Sequence, residues 1–99
     1  MTVSTRTPVA SPPIVRLSAT GVLDADTAQR FADDATAAVA DGTVAVEVDL
    51  GDVDLLTAAG VGALVQVKAS ADGVGATLAL LDPAPGVRRI LDMFGLPAA

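Results

Sequence analysis

Residues 44–68 read VAVEVDLGDVDLLTAAGVGALVQVK, and the change of period inside this stretch decides the fold. Val44, Val46, Val48 and Leu50 alternate with Ala45, Glu47 and Asp49, the spacing of a strand with one buried face, and the β-branched content suits a pleated surface. Asp41-Gly42 precedes the run and Gly51 follows it, and both punctuate structure. From Ala58 the spacing becomes helical. Val61, Leu64 and Val65 stand at i, i+3 and i+4 and share one face, while Thr57 lies where an N-cap hydroxyl would accept from the first free amides. Gly60 and Gly62 each cost the helix about 1 kcal/mol relative to alanine. Propensity therefore does not explain them; either close packing against the sheet or close approach of a partner does. The junction of strand and helix becomes the candidate functional region.

Upstream, residues 14–23 alternate Val15, Leu17 and Ala19 against Arg16 and Ser18, which predicts a strand, with Gly21 marking a bulge or bend near its end. Residues 1–13, MTVSTRTPVASPP, form either a loose tail or an edge strand, because Pro8, Pro12 and Pro13 forbid regular ladder bonding on at least one side. Asp24 and Asp26 open a helix by satisfying first-turn amides. Its apolar stripe is Ala28, Phe31, Ala35, Ala38 and Val39, with Arg30, Asp33, Asp34 and Thr36 facing out, and it stops at Gly42.

Downstream, Asp72-Gly73-Val74-Gly75 is a turn and residues 77–81 a short strand. Asp82 as N-cap and Pro83 at the first helical position then predict a final helix. Val87, Ile90, Leu91 and Phe94 share its inner face, and Gly95 closes it in a left-handed cap with Leu96 folding back. Strands and helices thus alternate three times, which predicts an α/β domain with a largely parallel sheet. Residues 14–96 make up that domain, with 1–13 before it and a short tail, 97–99, after it.

Composition narrows the function. Ninety-nine residues fit one small domain with a single core. No cysteine and no histidine are present, which removes disulfides, thiolate chemistry and the commonest metal ligand and general base. Twelve acidic against six basic residues give a net charge of −6, which repels phosphate backbones and anionic headgroups. With two phenylalanines as the whole aromatic content there is no stacking platform for bases either. Nucleic acid is not an expected partner. The longest uncharged run of the central segment, residues 55–67, has 13 residues, too short for a membrane span, and the N-terminus lacks the apolar core of a signal peptide. The expected location is the cytoplasm, with no direct membrane insertion.

Few residues suggest chemistry. Asp49, Asp52 and Asp54 gather beyond the expected end of the central strand, where carboxylates can hold magnesium; their plain alternative is a solvated acidic turn. Gly60-Val61-Gly62 is half of a dinucleotide fingerprint, but it lies inside a helix and Val65 fills the third glycine position. No GxxxxGK[ST] loop exists. Catalytic residues, cofactors and metals are accordingly expected to be absent. The hydroxyl of Thr57 serves either as a cap or as a phosphate acceptor. The outward face of the same helix is expected to carry Ala59, Gly62, Ala63, Gln66 and Ser70, a smooth and almost uncharged docking surface.

The stretches VEVDLGDVDLLTAAGVGAL and LALLDPAPGVRRILDMFGL, with Gly21-Val22-Leu23-Asp24 as a G-x-L-D entry to the first helix, resemble the STAS domain of bacterial anti-sigma factor antagonists. The resemblance spans most of residues 14–96. It implies an α/β fold with a mixed four- to five-stranded sheet and helices mainly on one face. It also implies a partner-switching protein without enzymatic activity. In that family the unphosphorylated form binds a serine-kinase anti-sigma factor of the histidine-kinase-like ATPase superfamily and so frees a sigma factor. Phosphorylation of a serine in an Asp-Ser-Ser-Gly segment ends the interaction.

Here the four positions read Thr57-Ala58-Ala59-Gly60, so Ala58 stands at the acceptor serine. Either the switch is lost or Thr57 has taken over. Loss is favoured, since a one-residue shift moves a side chain about 100° around a helix. The chain also stops at Ala99, shortly after Gly95, where many relatives continue. The expected partner-binding residues are Asp24, Thr57, Ala58, Ala59, Gly60, Gly62, Ala63 and Gln66. Two other functions fit the residues: an auxiliary STAS subunit that binds the ATPase of a lipid-transporting ABC complex, and a small magnesium-dependent enzyme built on Asp49, Asp52 and Asp54.

Overall fold

Alternation of apolar and polar side chains builds the sheet. In the computed structural model, which describes the backbone of residues 3–6 and residues 14–96 with their side chains, strands β1 (Val3–Arg6), β2 (Ile14–Leu23), β3 (Ala45–Leu56) and β4 (Thr77–Leu81) stand in the order β1-β2-β3-β4. β2, β3 and β4 are parallel neighbours and β1 runs antiparallel to β2. The sheet is therefore mixed and four-stranded, within the expected range. Val15, Leu17 and Ala19 of β2 face the same way as Val46, Val48 and Leu50 of β3 and Leu80 of β4, and all seven are buried. Each buried valine or leucine contributes about 1.5–3 kcal/mol.

Three helices cover that face: α1 (Ala25–Ala38), α2 (Ala58–Gly73) and α3 (Pro85–Met93). Ala28, Phe31, Ala32 and Ala35 of α1, Val61, Leu64, Val67 and Ala71 of α2, and Val87 and Leu91 of α3 join the strands in one core. On the opposite face Arg16 and Glu47, register partners, form an ion pair of 2.8 Å. Half-exposed as it is, such a pair adds little stability. Helices on one face and charges on the other give the layer two different sides.

Several boundaries differ from the sequence reading, each for a local reason. β3 does not end at Leu50 but continues through Gly51 to Leu56, because register shifts against β2 absorb the irregular stretch and Val53 and Leu56 are again buried. Val44 lies just outside the strand and is exposed. α1 ends at Ala38, with Val39 as its C-cap in an extended conformation, and Gly42 instead serves the following turn with φ +90°. α3 begins at Pro85, not Pro83. Asp82 adopts a left-handed φ of 54°, incompatible with the extended backbone of an N-cap, and Ala84 takes that position. At its far end the helix closes as expected: Gly95 has φ +71° and the Leu96 N–H reaches the Leu91 carbonyl at 2.9 Å. Phe94 departs from the expected stripe. It is the C-cap residue, past the helical period, and is 57% exposed.

Candidate functional site at the carboxyl ends of the central strands

β2 and β3 end side by side, with Val22 opposite Leu55 and Leu23 opposite Leu56. Each strand passes at once into a helix, so the N-caps of α1 and α2, Asp24 and Thr57, follow register-matched residues. Adjacent parallel strands thus deliver two helix starts to one edge of the sheet.

The first start is fastened by a capping box. The Asp24 carboxylate accepts from the Asp26 and Thr27 N–H groups at 3.0 and 3.1 Å, and Thr27 Oγ1 accepts from the Asp24 N–H at 3.0 Å. The Thr27 hydroxyl donates in turn to the Val22 carbonyl at 2.7 Å. These bonds hold the Asp24 carboxyl below its ordinary value of 3.8: the Thr27 N–H lowers it, partial burial opposes, and the Asp26 N–H lowers it further. A carboxyl whose folded pKa is depressed stabilises the fold above its unfolded pKa and loses that contribution as pH falls through the folded one. Asp24→Asn is accordingly expected to flatten the acid limb of a stability-against-pH curve below the ordinary carboxyl range, as followed by urea midpoints. A limb as steep as that of the wild type would remove Asp24 from the account.

The second start carries the sequence-predicted site. Thr57 is the N-cap of α2, as its position implied, and its Oγ1 accepts from the Gly60 N–H at 3.4 Å. Its hydroxyl donates to the Leu23 carbonyl at 2.8 Å, and its backbone N–H reaches the same oxygen at 3.1 Å. The Thr57 hydroxyl is thus engaged as both donor and acceptor. Ala58 and Ala59 are exposed in the first turn, and Gly62 and Gln66 continue the open face. No acidic side chain occupies that turn.

Two candidates lie elsewhere. Gly60 is buried: a Cβ there would stand 2.7 Å from the Leu23 carbonyl oxygen and 2.9 Å from Leu23 Cβ. Its missing side chain serves packing against the sheet, the first of the two explanations offered by the sequence. Gly62 has nothing within 4 Å of its would-be Cβ and belongs to the open surface. Ala63, expected to face outward, is only 3% exposed, whereas Val65, expected in the core, is 48% exposed. α2 packs on the sheet and also along α1, so its buried arc is wider than one stripe and takes in Ala63.

Val22 and Leu55, 39% and 51% exposed, are the apolar residues of this edge that sequence reasoning missed. A register shift separates Gly21 from Val22, so simple alternation along the chain does not show which way either side chain points. Asp49, Asp52 and Asp54, expected to gather beyond the end of the central strand, lie within β3, and the Asp49 carboxylate accepts from the Gly51 N–H at 2.8 Å. Among the described residues no three acidic side chains form a group able to hold a metal ion. No helix of the described residues is long and apolar enough to cross a membrane.

A mixed sheet with three helices on one face, opening two helix starts at the carboxyl edge of its parallel strands, defines a small one-sided α/β domain. The family model described as "Mlab, STAS domain" matches residues 9–98, and the chain belongs to the STAS domain family. Among solved structures it is similar to the anti-sigma factor antagonist SpoIIAA in its unphosphorylated form, with 17% identity and a TM-score of 0.77 over 97% of this chain and 88% of that one. The Bacillus cell fate determinant SpoIIAA in its phosphorylated form gives 0.71 at 17% identity, over 97% and 91% of the two chains. An anti-sigma factor antagonist from Mycobacterium paratuberculosis gives 0.75 at 23% identity, over 98% and 85%. At these identities the likeness is one of fold. Among curated proteins none matches significantly.

Proposed function

We propose that this protein is a non-enzymatic regulatory binding module of the anti-sigma factor antagonist type. It docks a serine-kinase anti-sigma factor of the histidine-kinase-like ATPase superfamily through the start of α2 and so releases a sigma factor. The observation that carries this reading is the open, uncharged surface of Ala58, Ala59 and Gly62 beside the exposed Val22 and Leu55. Small side chains let a partner backbone approach closely, and exposed apolar residues supply burial energy on contact. Asp24 and Gln66 border the patch with polar groups, while Gly60 and Ala63 support it from beneath.

The mode of action is binding without a phosphorylation switch. Ala58 offers no hydroxyl where the resemblance places the acceptor. The Thr57 hydroxyl donates its proton to the Leu23 carbonyl, so phosphorylating it would remove that proton and break the bond. Incubation of the purified chain with ATP and each kinase-type anti-sigma factor of its host, followed by intact-mass analysis, is expected to show an unmodified protein. Stoichiometric phosphate on Thr57 would overturn the loss of the switch. Capture by the ATPase subunit of a lipid-transporting ABC complex in place of any anti-sigma factor would overturn the partner assignment.

A further inference from the structure

Backbone groups of three consecutive residues, Val22, Leu23 and Asp24, are pinned from two helices at once where β2 leaves the sheet. From α1, the Thr27 hydroxyl donates to the Val22 carbonyl at 2.7 Å and its oxygen accepts from the Asp24 N–H at 3.0 Å. From α2, Thr57 gives both its N–H and its hydroxyl to the Leu23 carbonyl between them, at 3.1 and 2.8 Å. Gly60 leaves room for this junction, since any Cβ there would collide with the same carbonyl. Leu23 is fully buried, so its carbonyl has these donors in place of solvent.

We infer that Thr57 is a positioning residue that ties the start of α1 to the start of α2, so that Asp24 and the α2 surface are presented as one preorganised unit. The inference rests on the docking reading for its functional meaning, but the tie exists in the free protein and is measured there. Preorganisation matters because a surface already ordered loses less conformational entropy on association. An ordinary N-cap would steady its own helix alone. A tie transmits to the neighbouring one.

Amide hydrogen exchange of the isolated full-length chain, read residue by residue by NMR, separates the two. In Thr57→Val, which keeps the shape and removes the hydroxyl, protection at Gly60 is expected to fall about fivefold, the factor typical of a lost cap. Protection at Thr27 and Ala28 on α1 is expected to fall with it by at least about half that factor, while Val48 in the middle of β3 stays as in the wild type. Thr57→Ser, which keeps the hydroxyl, is expected to match the wild type throughout. Loss confined to Gly60 would reduce Thr57 to a simple cap and overturn the tie. A uniform fall that includes Val48, or a Thr57→Ser profile equal to that of Thr57→Val, would overturn it as well. None of these outcomes depends on whether an anti-sigma factor binds.

Discussion

Gly60→Ala is expected to destabilise the domain by about 2–3 kcal/mol, the usual cost of overpacking a tight contact. For a domain of this size that is roughly 10–20 °C in melting temperature. The added Cβ would meet Leu56 Cδ1 at 2.6 Å, the Leu23 carbonyl oxygen at 2.7 Å and Leu23 Cβ at 2.9 Å. Leu56 can rotate its methyl group away, but the two Leu23 atoms belong to or adjoin a backbone held by the Thr57 N–H and hydroxyl. Relief therefore requires α2 to move off the sheet. Two residues further on, Gly62→Ala is expected to leave stability unchanged or raise it by up to about 1 kcal/mol, since it gains helix propensity and meets nothing. Thermal melts of the two variants side by side check the contrast. Equal melting temperatures would mean that Gly60 is not the contact on which α2 seats.

Gly62→Arg is expected to weaken partner binding at least about thirtyfold, equivalent to about 2 kcal/mol, a magnitude reached when the centre of an interface is disrupted. The same variant should melt within a few degrees of the wild type, because its side chain enters open space. Selectivity for binding over folding is what makes the position informative. Ala63→Arg lacks it: Ala63 is 3% exposed, and an arginine there would disturb the core before it reached any partner. Titration calorimetry against the purified anti-sigma factor, with circular dichroism melts of both proteins, measures the two effects. Wild-type affinity in Gly62→Arg would move the docking surface away from the α2 start.

How far these features could be read from sequence depends on local contrast. The order of strands and helices was legible because β2 and the first half of β3 alternate clearly, β4 is a short apolar run between turn residues, and the intervening stretches change period. Thr57 as a cap and Gly95 as a terminator were legible for the same reason: each is a residue type with one strong local role. The end of β3 was not, since Gly51 looks like a stop and only pairing with β2 carries the strand past it. The faces of α2 were misread at Ala63 and Val65. Alanine, glycine and valine dominate that helix, so little polar contrast distinguishes its sides, and packing against both the sheet and α1 decides. Thr27 escaped notice because a capping box usually carries glutamate or glutamine at that position. Its hydroxyl gains meaning only once the Val22 carbonyl is beside it.

In the proposed function the α2 start docks a kinase-type anti-sigma factor and is not switched off by it. Calorimetric titration of the full-length protein into that factor bound to its sigma factor, repeated after prolonged incubation with ATP and magnesium, tests it most directly. The expected result is a one-to-one complex that displaces the sigma factor and keeps the same affinity after ATP. Absence of binding, or binding that ATP abolishes as phosphate appears on Thr57, would contradict it.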